Sequence, residues 1–254
     1  MSATIYIGTS GYSYADWMGS FYPADLPKKD LLNFYASKFQ IVELNFSYYR
    51  QPTAGMLNRM LDITPEQFQF SIKAHGSLTH NVEQDWRKDA AEYKRGVAPL
   101  LSSDRLTAVL LQFPYSFHYE KDNRRYLANL CDELKSLPLV IEFRSAEWQT
   151  ERVYGEMRER GIGISATDCP ALKNLPAPSE TTTSKIGYIR FHGRNGKNWW
   201  NGTNASRYDY LYNDEELDEW LNRINQMSKN TKILVIVFNN HWRGKAVQNA
   251  GQLK

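Results

Sequence analysis

Short runs rich in β-branched and aromatic residues recur along the chain, with stretches of helical spacing between most of them. The runs are Ile5–Gly8, Ile41–Asn45, Phe68–Lys73, Leu106–Phe113, Leu139–Phe143, Gly163–Thr167, Gly187–Phe191 and Ile233–Phe238. Several are almost continuously apolar, as strands are when both faces are covered. Leu31, Leu32, Phe34, Tyr35 and Phe39 share one helical face, as do Met56, Leu57, Met60 and Leu61, then Tyr126, Leu127, Leu130 and Leu134. A weaker stripe of Val153, Tyr154 and Met157 follows. Asp214-Glu215-Glu216 opens the best-marked helix, because acids in a first turn complement the free N–H groups there, and Leu217, Trp220, Leu221 and Ile224 continue it.

One link breaks the alternation. Pro170 to Ser184 carries three prolines and a Thr-Thr-Thr run, which predicts a loop where a helix would otherwise join strands six and seven. After Gly244 there is room for only a short final helix. Strand–helix alternation implies parallel strands joined by right-handed crossovers. Eight of them predict an α/β fold, a (β/α)8 barrel of the TIM type made irregular by that loop, with residues 1–254 as one domain; an open doubly wound sheet is the alternative.

Composition narrows the class. Among 254 residues, 31 Lys and Arg stand against 28 Asp and Glu, and 42 % hydrophobic and 13 % aromatic residues exclude disorder over most of the chain. The formal charge of +3 does not by itself imply nucleic acid or an anionic membrane as partner. Ile233–Phe238 is far too short to span a bilayer. Met1 is followed almost at once by Ile5-Tyr6-Ile7 without a basic or long apolar leader, so a soluble cytoplasmic protein is expected. Cys131 and Cys169 have neither metal-type nor disulfide spacing.

The polar residues that end or interrupt the strands are more informative. Residues two apart on a strand point the same way, so Glu43 shares a face with Asn45, Ser71 with Lys73 and then His75, Glu142 with Arg144, and Arg190 with His192. Gln112, Asp168, Asn239 and Asn240 lie at or near the ends of their own strands. In a barrel those ends converge on one mouth, where active sites form. One polar site is therefore expected, with acids Glu43, Glu142 and Asp168 and bases Lys73, Arg144 and Arg190. Each has a quieter reading as well: Glu43 pairing with Lys73 across neighbouring strands, Arg144 with Glu142 or Asp168, and the asparagines bonding strand ends. Tyr12, Tyr14, Trp17, Tyr48, Tyr49, Tyr115, Phe117, Trp148, Trp199 and Trp200 follow strands, and their rings suit either stacking on sugars or bases or packing under loops. Gly8-Thr9-Ser10-Gly11 is a small-residue turn able to cradle a phosphate on backbone N–H groups. No nucleotide-binding, nucleophile-elbow, HExxH or CxxC pattern occurs.

Ordered blocks along the whole chain resemble the DUF72 family, also called YecE-like or YunF-like proteins. They are Ile7-Gly8-Thr9-Ser10-Gly11-Tyr12-Ser13-Tyr14 with Phe21-Tyr22-Pro23, Val42-Glu43-Leu44-Asn45 through Tyr49-Arg50 and Pro52, and Phe70-Ser71-Ile72-Lys73-Ala74 with Thr79-His80. Leu111-Gln112-Phe113-Pro114, Glu142-Phe143-Arg144 with Trp148, Arg190-Phe191-His192-Gly193-Arg194 and Phe238-Asn239-Asn240 follow. The resemblance implies a (β/α) barrel and a site, and no reaction. The sequence departs from the family pattern at Phe46-Ser47-Tyr48, at Asp168-Cys169-Pro170 and in an abbreviated C-terminal end.

Two functional readings remain. The first is an enzyme, of hydrolase or isomerase type, working by acid–base chemistry on a small polar, sugar-like or phosphorylated substrate. Its catalytic set is Glu43, Lys73, Glu142, Arg144 and Asp168, with Tyr12, Asn45, His75, Gln112, Arg190, His192, Trp199, Asn239 and Asn240 binding substrate. No cofactor and no metal is assigned. Three acids and His192 suit Mg²⁺ or Mn²⁺, but the adjacent bases already neutralise those acids. The second reading is a protein that binds or processes nucleic acid or nucleotides, with a divalent metal as an option, through Arg144, Arg190, Arg194 and the tryptophans.

Overall fold

The computed structural model describes residues 3–254, and over them eight parallel strands close into a barrel in sequence order. The strands are β1 (Thr4–Ser10), β2 (Ile41–Leu44), β3 (Gln69–Lys73), β4 (Leu106–Gln112), β5 (Leu139–Glu142), β6 (Gly163–Asp168), β7 (Ile186–Phe191) and β8 (Ile233–Phe238). β8 pairs with β1, so no edge is left unpaired and the open sheet is excluded. The helices are α1 (Leu31–Lys38), α2 (Phe46–Tyr49), α3 (Ala54–Asp62), α4 (Trp86–Ser102), α5 (Lys121–Glu133), α6 (Glu151–Arg160), α7 (Asn204–Arg207), α8 (Asp214–Asn230) and α9 (Lys245–Leu253).

The apolar stripes named above become α1, α3, α5, α6 and α8. Asn213 caps α8: its side chain accepts from the Glu216 N–H while Glu216 accepts from the Asn213 N–H. No helix joins β6 to β7, as the prolines require. The tail forms the short α9, whose Ala246, Val247, Asn249 and Ala250 are buried. Helix α4 is the one long element the spacing does not name. Its buried face carries Ala90 and Gly96 among larger residues, and a Cβ on Gly96 would lie 2.1 Å from the Pro52 carbonyl oxygen. Close approach to its neighbour at that point requires glycine, while Trp86, Tyr93, Val97 and Leu100 supply the rest of the buried stripe.

Strand register sorts side chains between two compartments. Ile41, Ala108, Leu110, Val140, Tyr188, Val235 and Val237 fill the lumen, while Leu44, Ile72, Leu111, Ile141, Ala166, Ile189, Phe191 and Phe238 pack in the shell between barrel and helices. Two residues beyond the lumen set lie Glu43, Gln112, Glu142 and Arg190, one polar layer above the apolar plug.

Candidate functional site

The carboxyl ends of the strands surround an open cavity of about 690 Å³. Gly11, at φ +85°, turns the chain sharply after β1 and swings Tyr12, Ser13 and Tyr14 over it. The N–H of Gly11 donates to the Glu43 carbonyl at 2.8 Å, and the N–H of Thr9 donates to the Tyr35 hydroxyl at 2.8 Å. Those amides are occupied, so this turn is not the phosphate cradle that its small residues suggest.

Beneath the cavity lies a buried ionic layer. Arg190 donates through Nη2 to Glu43 Oε1 at 2.6 Å and through Nη1 to Glu142 Oε2 at 2.7 Å. Glu43 also accepts from the Ser10 hydroxyl and, at 2.8 Å, from Tyr188. Arg144 Nε donates to Glu142 Oε1 at 2.6 Å. Burial alone would raise the Glu142 pKa, but Arg190, Arg144 and His192 outweigh it and hold the carboxyl well below its usual range. Both glutamates are fully buried and neither lines the cavity. The catalytic role expected of Glu43 and Glu142 is therefore corrected: Glu43 holds Arg190 in place, and Glu142, which stays ionised, holds Arg190 and Arg144. The Glu43–Lys73 pair does not form, because Arg190 occupies Glu43 instead.

His192 is buried behind Glu142 and does not reach the cavity. The Asn239 amide lies 3.1 Å from its Nδ1, and its Nε2 is 3.3 Å from Glu142 Oε1 without a hydrogen bond. Burial, with Arg144, pushes its pKa down to about 3, so the ring is neutral and no anion anchor.

The cavity wall has a different character. Lys73, Arg144, Arg190 and Arg207 all line it, and among the described residues no carboxylate does. Asn45, Gln112 and Asn239 add amides, while Tyr12, Tyr14, Tyr48, Tyr49, Tyr208, His80 and His241 add rings. Lys73 Nζ donates to Gln112 Oε1 at 2.6 Å and lies 4.3 Å from the centre of the Tyr48 ring. Burial, then Arg190 and Arg144, lower its pKa to about 7. His80 is brought down to about 4 by burial and by the charges of Lys73 and Arg144. Burial would raise the Tyr208 pKa, but Arg144, Arg190 and Arg207 together lower it. Tyr14 and His241 stack at 4.5 Å, forming a flat aromatic wall.

Four expected residues stand elsewhere. Asp168 shares its face with Ala166 and points into the helix shell, accepting from Arg194 Nη2 at 2.8 Å, Tyr212 at 2.7 Å and Trp220 Nε1 at 2.7 Å. It leaves the catalytic set, and the three acids read as metal ligands do not converge. Asn240 donates to the Tyr210 carbonyl and to Asn249 Oδ1, both at 2.9 Å, tying α9 to the barrel. His75 caps the turn Gly76–Leu78 by accepting from the Ser77 N–H at 3.3 Å. Trp199 is buried with its ring 5.7 Å from the Arg144 guanidinium, supporting that arginine from outside the cavity. Among the other aromatics, Trp17 and Trp148 are core residues, and Phe117 packs on Trp148 with its ring stacked.

Six participants were not among the candidates: Ser10, Tyr188, His80, Arg207, Tyr208 and His241. Strand parity could have found two, since Ser10 lies two beyond Gly8 and Tyr188 two before Arg190. Arg207 and Tyr208 come from the long link between β7 and β8, whose path no periodicity encodes.

The family described as "Protein of unknown function DUF72" matches residues 6–254. The UPF0759 protein YunF of Bacillus subtilis (strain 168) is 32 % identical to this chain, the alignment covering 98 % of it and 93 % of YunF. A DUF72 family protein of Thermotoga maritima MSB8, known from its crystal structure, is 37 % identical with a TM-score of 0.91, over 98 % of this chain and 97 % of that one. Another from Enterococcus faecalis V583 is 26 % identical with a TM-score of 0.85, over 98 % of this chain and 94 % of that one.

Proposed function

The chain belongs to the DUF72 family, and from that premise we propose that its barrel mouth is the active site of an enzyme performing acid–base chemistry on a small anionic, sugar-like or phosphorylated compound. The observation that carries this reading is the cavity wall, with four cationic side chains and no carboxylate among the described residues. Glu43 and Glu142 offset two of those charges from below, which leaves a positive surplus facing the opening. Arginine suits phosphate or carboxylate through its planar fork of donors, so Arg144 and Arg207 hold the anion. Tyr12, Tyr48 and Tyr49 offer faces for the C–H surface of a sugar. Lys73 is the proton carrier, because its pKa of about 7 gives it both protonation states near neutrality.

A thermal-shift series tests this with ribose 5-phosphate, dihydroxyacetone phosphate, inorganic phosphate, the unphosphorylated sugars and an oligonucleotide, each at low and moderate salt. A ligand at roughly 100 times its Kd adds about 2.7 kcal/mol of stability. In a chain of this size that is a rise of about 5–10 °C. The phosphorylated small molecules should raise the melting temperature, and Arg144→Met and Arg207→Met should reduce the rise. A response to neutral sugars alone overturns the reading. A response to the oligonucleotide alone, lost steeply with salt, replaces it with nucleic-acid binding.

A further inference from the structure

Lys73 is placed unlike the arginines of the ionic layer. Arg144 and Arg190 grip carboxylates, whereas Lys73 has no carboxylate within 4 Å among the described residues. Its one hydrogen-bond acceptor there is the neutral Gln112 Oε1 at 2.6 Å. An ammonium has three N–H groups to satisfy, so two are left without a protein acceptor among the described residues. An iminium nitrogen has a single N–H, and Gln112 satisfies it. The Tyr48 ring, 4.3 Å from Nζ, faces a cation equally well in either form. Burial beside two guanidinium groups also brings the pKa down to about 7, which leaves much of the group as free amine at neutral pH. A desolvated lysine next to other cations is the setting in which its amine acts as a nucleophile toward carbonyl carbon.

We propose that Lys73 forms an imine with the aldehyde or ketone carbonyl of an anionic substrate, a phosphorylated hydroxy-carbonyl compound being the class that fits this wall. The proposal rests on the anion-binding reading above and replaces the proton-carrying role given there to Lys73. The free Nζ adds its lone pair to the carbonyl carbon, and a proton moves from nitrogen to oxygen to give the carbinolamine. The second amine proton and the hydroxyl then leave as water, and the carbon–nitrogen double bond forms. Protonation of that nitrogen gives the iminium, an electron sink that makes an adjacent C–H acidic. Arg144 and Arg207 fix the phosphate so that the carbonyl end lies toward Lys73.

Reductive trapping tests it. The protein is incubated with glycolaldehyde phosphate or dihydroxyacetone phosphate and cyanoborohydride, which delivers hydride to the iminium carbon and leaves a stable secondary amine. Intact mass and peptide mapping should show one adduct on Lys73, formed about tenfold faster than with unphosphorylated glycolaldehyde or dihydroxyacetone because the bound anion raises the effective concentration. Lys73→Arg should abolish that adduct and leave the slow labelling of exposed lysines unchanged. Labelling of exposed lysines with Lys73 unmodified overturns the proposal. The same ligands without reductant separate the two readings. A thermal shift without Lys73 labelling sinks the imine and leaves anion binding standing, whereas no shift and no label sinks both.

Discussion

Asp168 at the end of β6 and Glu142 at the end of β5 are both buried, both paired with arginine and both at the mouth end of the barrel, yet they face opposite sides of its wall. Around Asp168, Arg194, Tyr212 and Trp220 direct their donors onto the two carboxylate oxygens, and the cluster ties α8 and the preceding loop to the barrel. Nothing in it looks toward a ligand. The lumen cluster is also well bonded below, but Lys73 and Arg207 stand above it with no carboxylate partner among the described residues, lining an open cavity. A saturated cluster is a fastening; a cluster with charge left over on the side of a cavity is a binding surface. The same residue types at the same end of neighbouring strands serve both purposes, and the direction of the strand face decides which.

The largest test of that contrast is Arg190→Met. It leaves Glu43 and Glu142 buried with their shared partner gone, a defect that costs about 3–5 kcal/mol. For a chain of this length that is a fall of roughly 10 °C or more in melting temperature. Asp168→Asn should cost less, about 1–3 kcal/mol, since it weakens charge-assisted bonds without stranding a charge. Arg194 is partly exposed and keeps Glu219 at 2.8 Å and Glu216 at 3.4 Å. The Asp168→Asn protein should respond to phosphorylated ligands as the parent does. Loss of that response in a folded Asp168→Asn protein would break the contrast.

Lys73→Met should move stability the other way. The folded pKa is about 7 against an ordinary 10.5, so between those values the unfolded chain holds the proton that the folded chain has released. Stability therefore rises with pH across that window, and below pH 7 the folded state carries the whole cost of a poorly solvated ammonium. Removing the amine should stabilise the protein at pH 7 by about 1–2 kcal/mol, after allowing for partial solvent access, while weakening phosphate-dependent ligand binding. Denaturant midpoints of both proteins at pH 7 and pH 10 check this, the gain fading toward the higher pH. A group that destabilises the fold and faces a cavity is retained for what it does there.

The barrel was legible because its strands are apolar runs and its turns are marked by Gly and Pro. The helix Trp86–Ser102 was not, although Trp86, Ala90, Tyr93, Val97 and Leu100 recur at helical spacing, because small residues, many charges and Pro99 interrupt that stripe. Within the site, parity set Glu43, Lys73, Glu142 and Arg190 on faces that turn out to be the lumen side, whereas Gln112 was read only as lying near the end of its strand. Parity could not place Asp168, because β6 carries Gly163, Ser165 and Thr167 on one face and Ile164, Ala166 and Asp168 on the other, and in a strand covered on both faces apolar residues do not tell lumen from shell. Nor does parity reveal depth. Glu142 and Arg144 share a face, yet only Arg144 reaches the cavity, because the next side chain up the strand covers the one beneath it. Arg207 and Tyr208 are brought over the mouth by a link whose course depends on tertiary packing.

The smallest effect separates the buried layer from the wall by acid titration. His192 is wholly buried with a pKa of about 3, against 6.5 in an unfolded chain. As pH falls below 6.5 the unfolded chain takes up a proton that the folded chain refuses until about pH 3. The stability contributed by the neutral ring is thus full above pH 6.5 and lost progressively beneath it, by about 1 kcal/mol over the first unit. Glu142 adds a loss of the same sign only below its ordinary 4.5, when the unfolded carboxylate begins to protonate. His80, with a pKa of about 4, acts in the same direction as His192 but stands in the wall. Melting temperatures of the parent, His192→Asn and His80→Gln between pH 6.5 and 5 resolve the two. Each variant should show a flatter slope than the parent, and only His80→Gln should also change the response to phosphorylated ligands. A parent slope unchanged by His192→Asn would mean that His192 is protonated in the folded state, and the ionic layer would then carry a charge that its surroundings, as described above, do not accommodate.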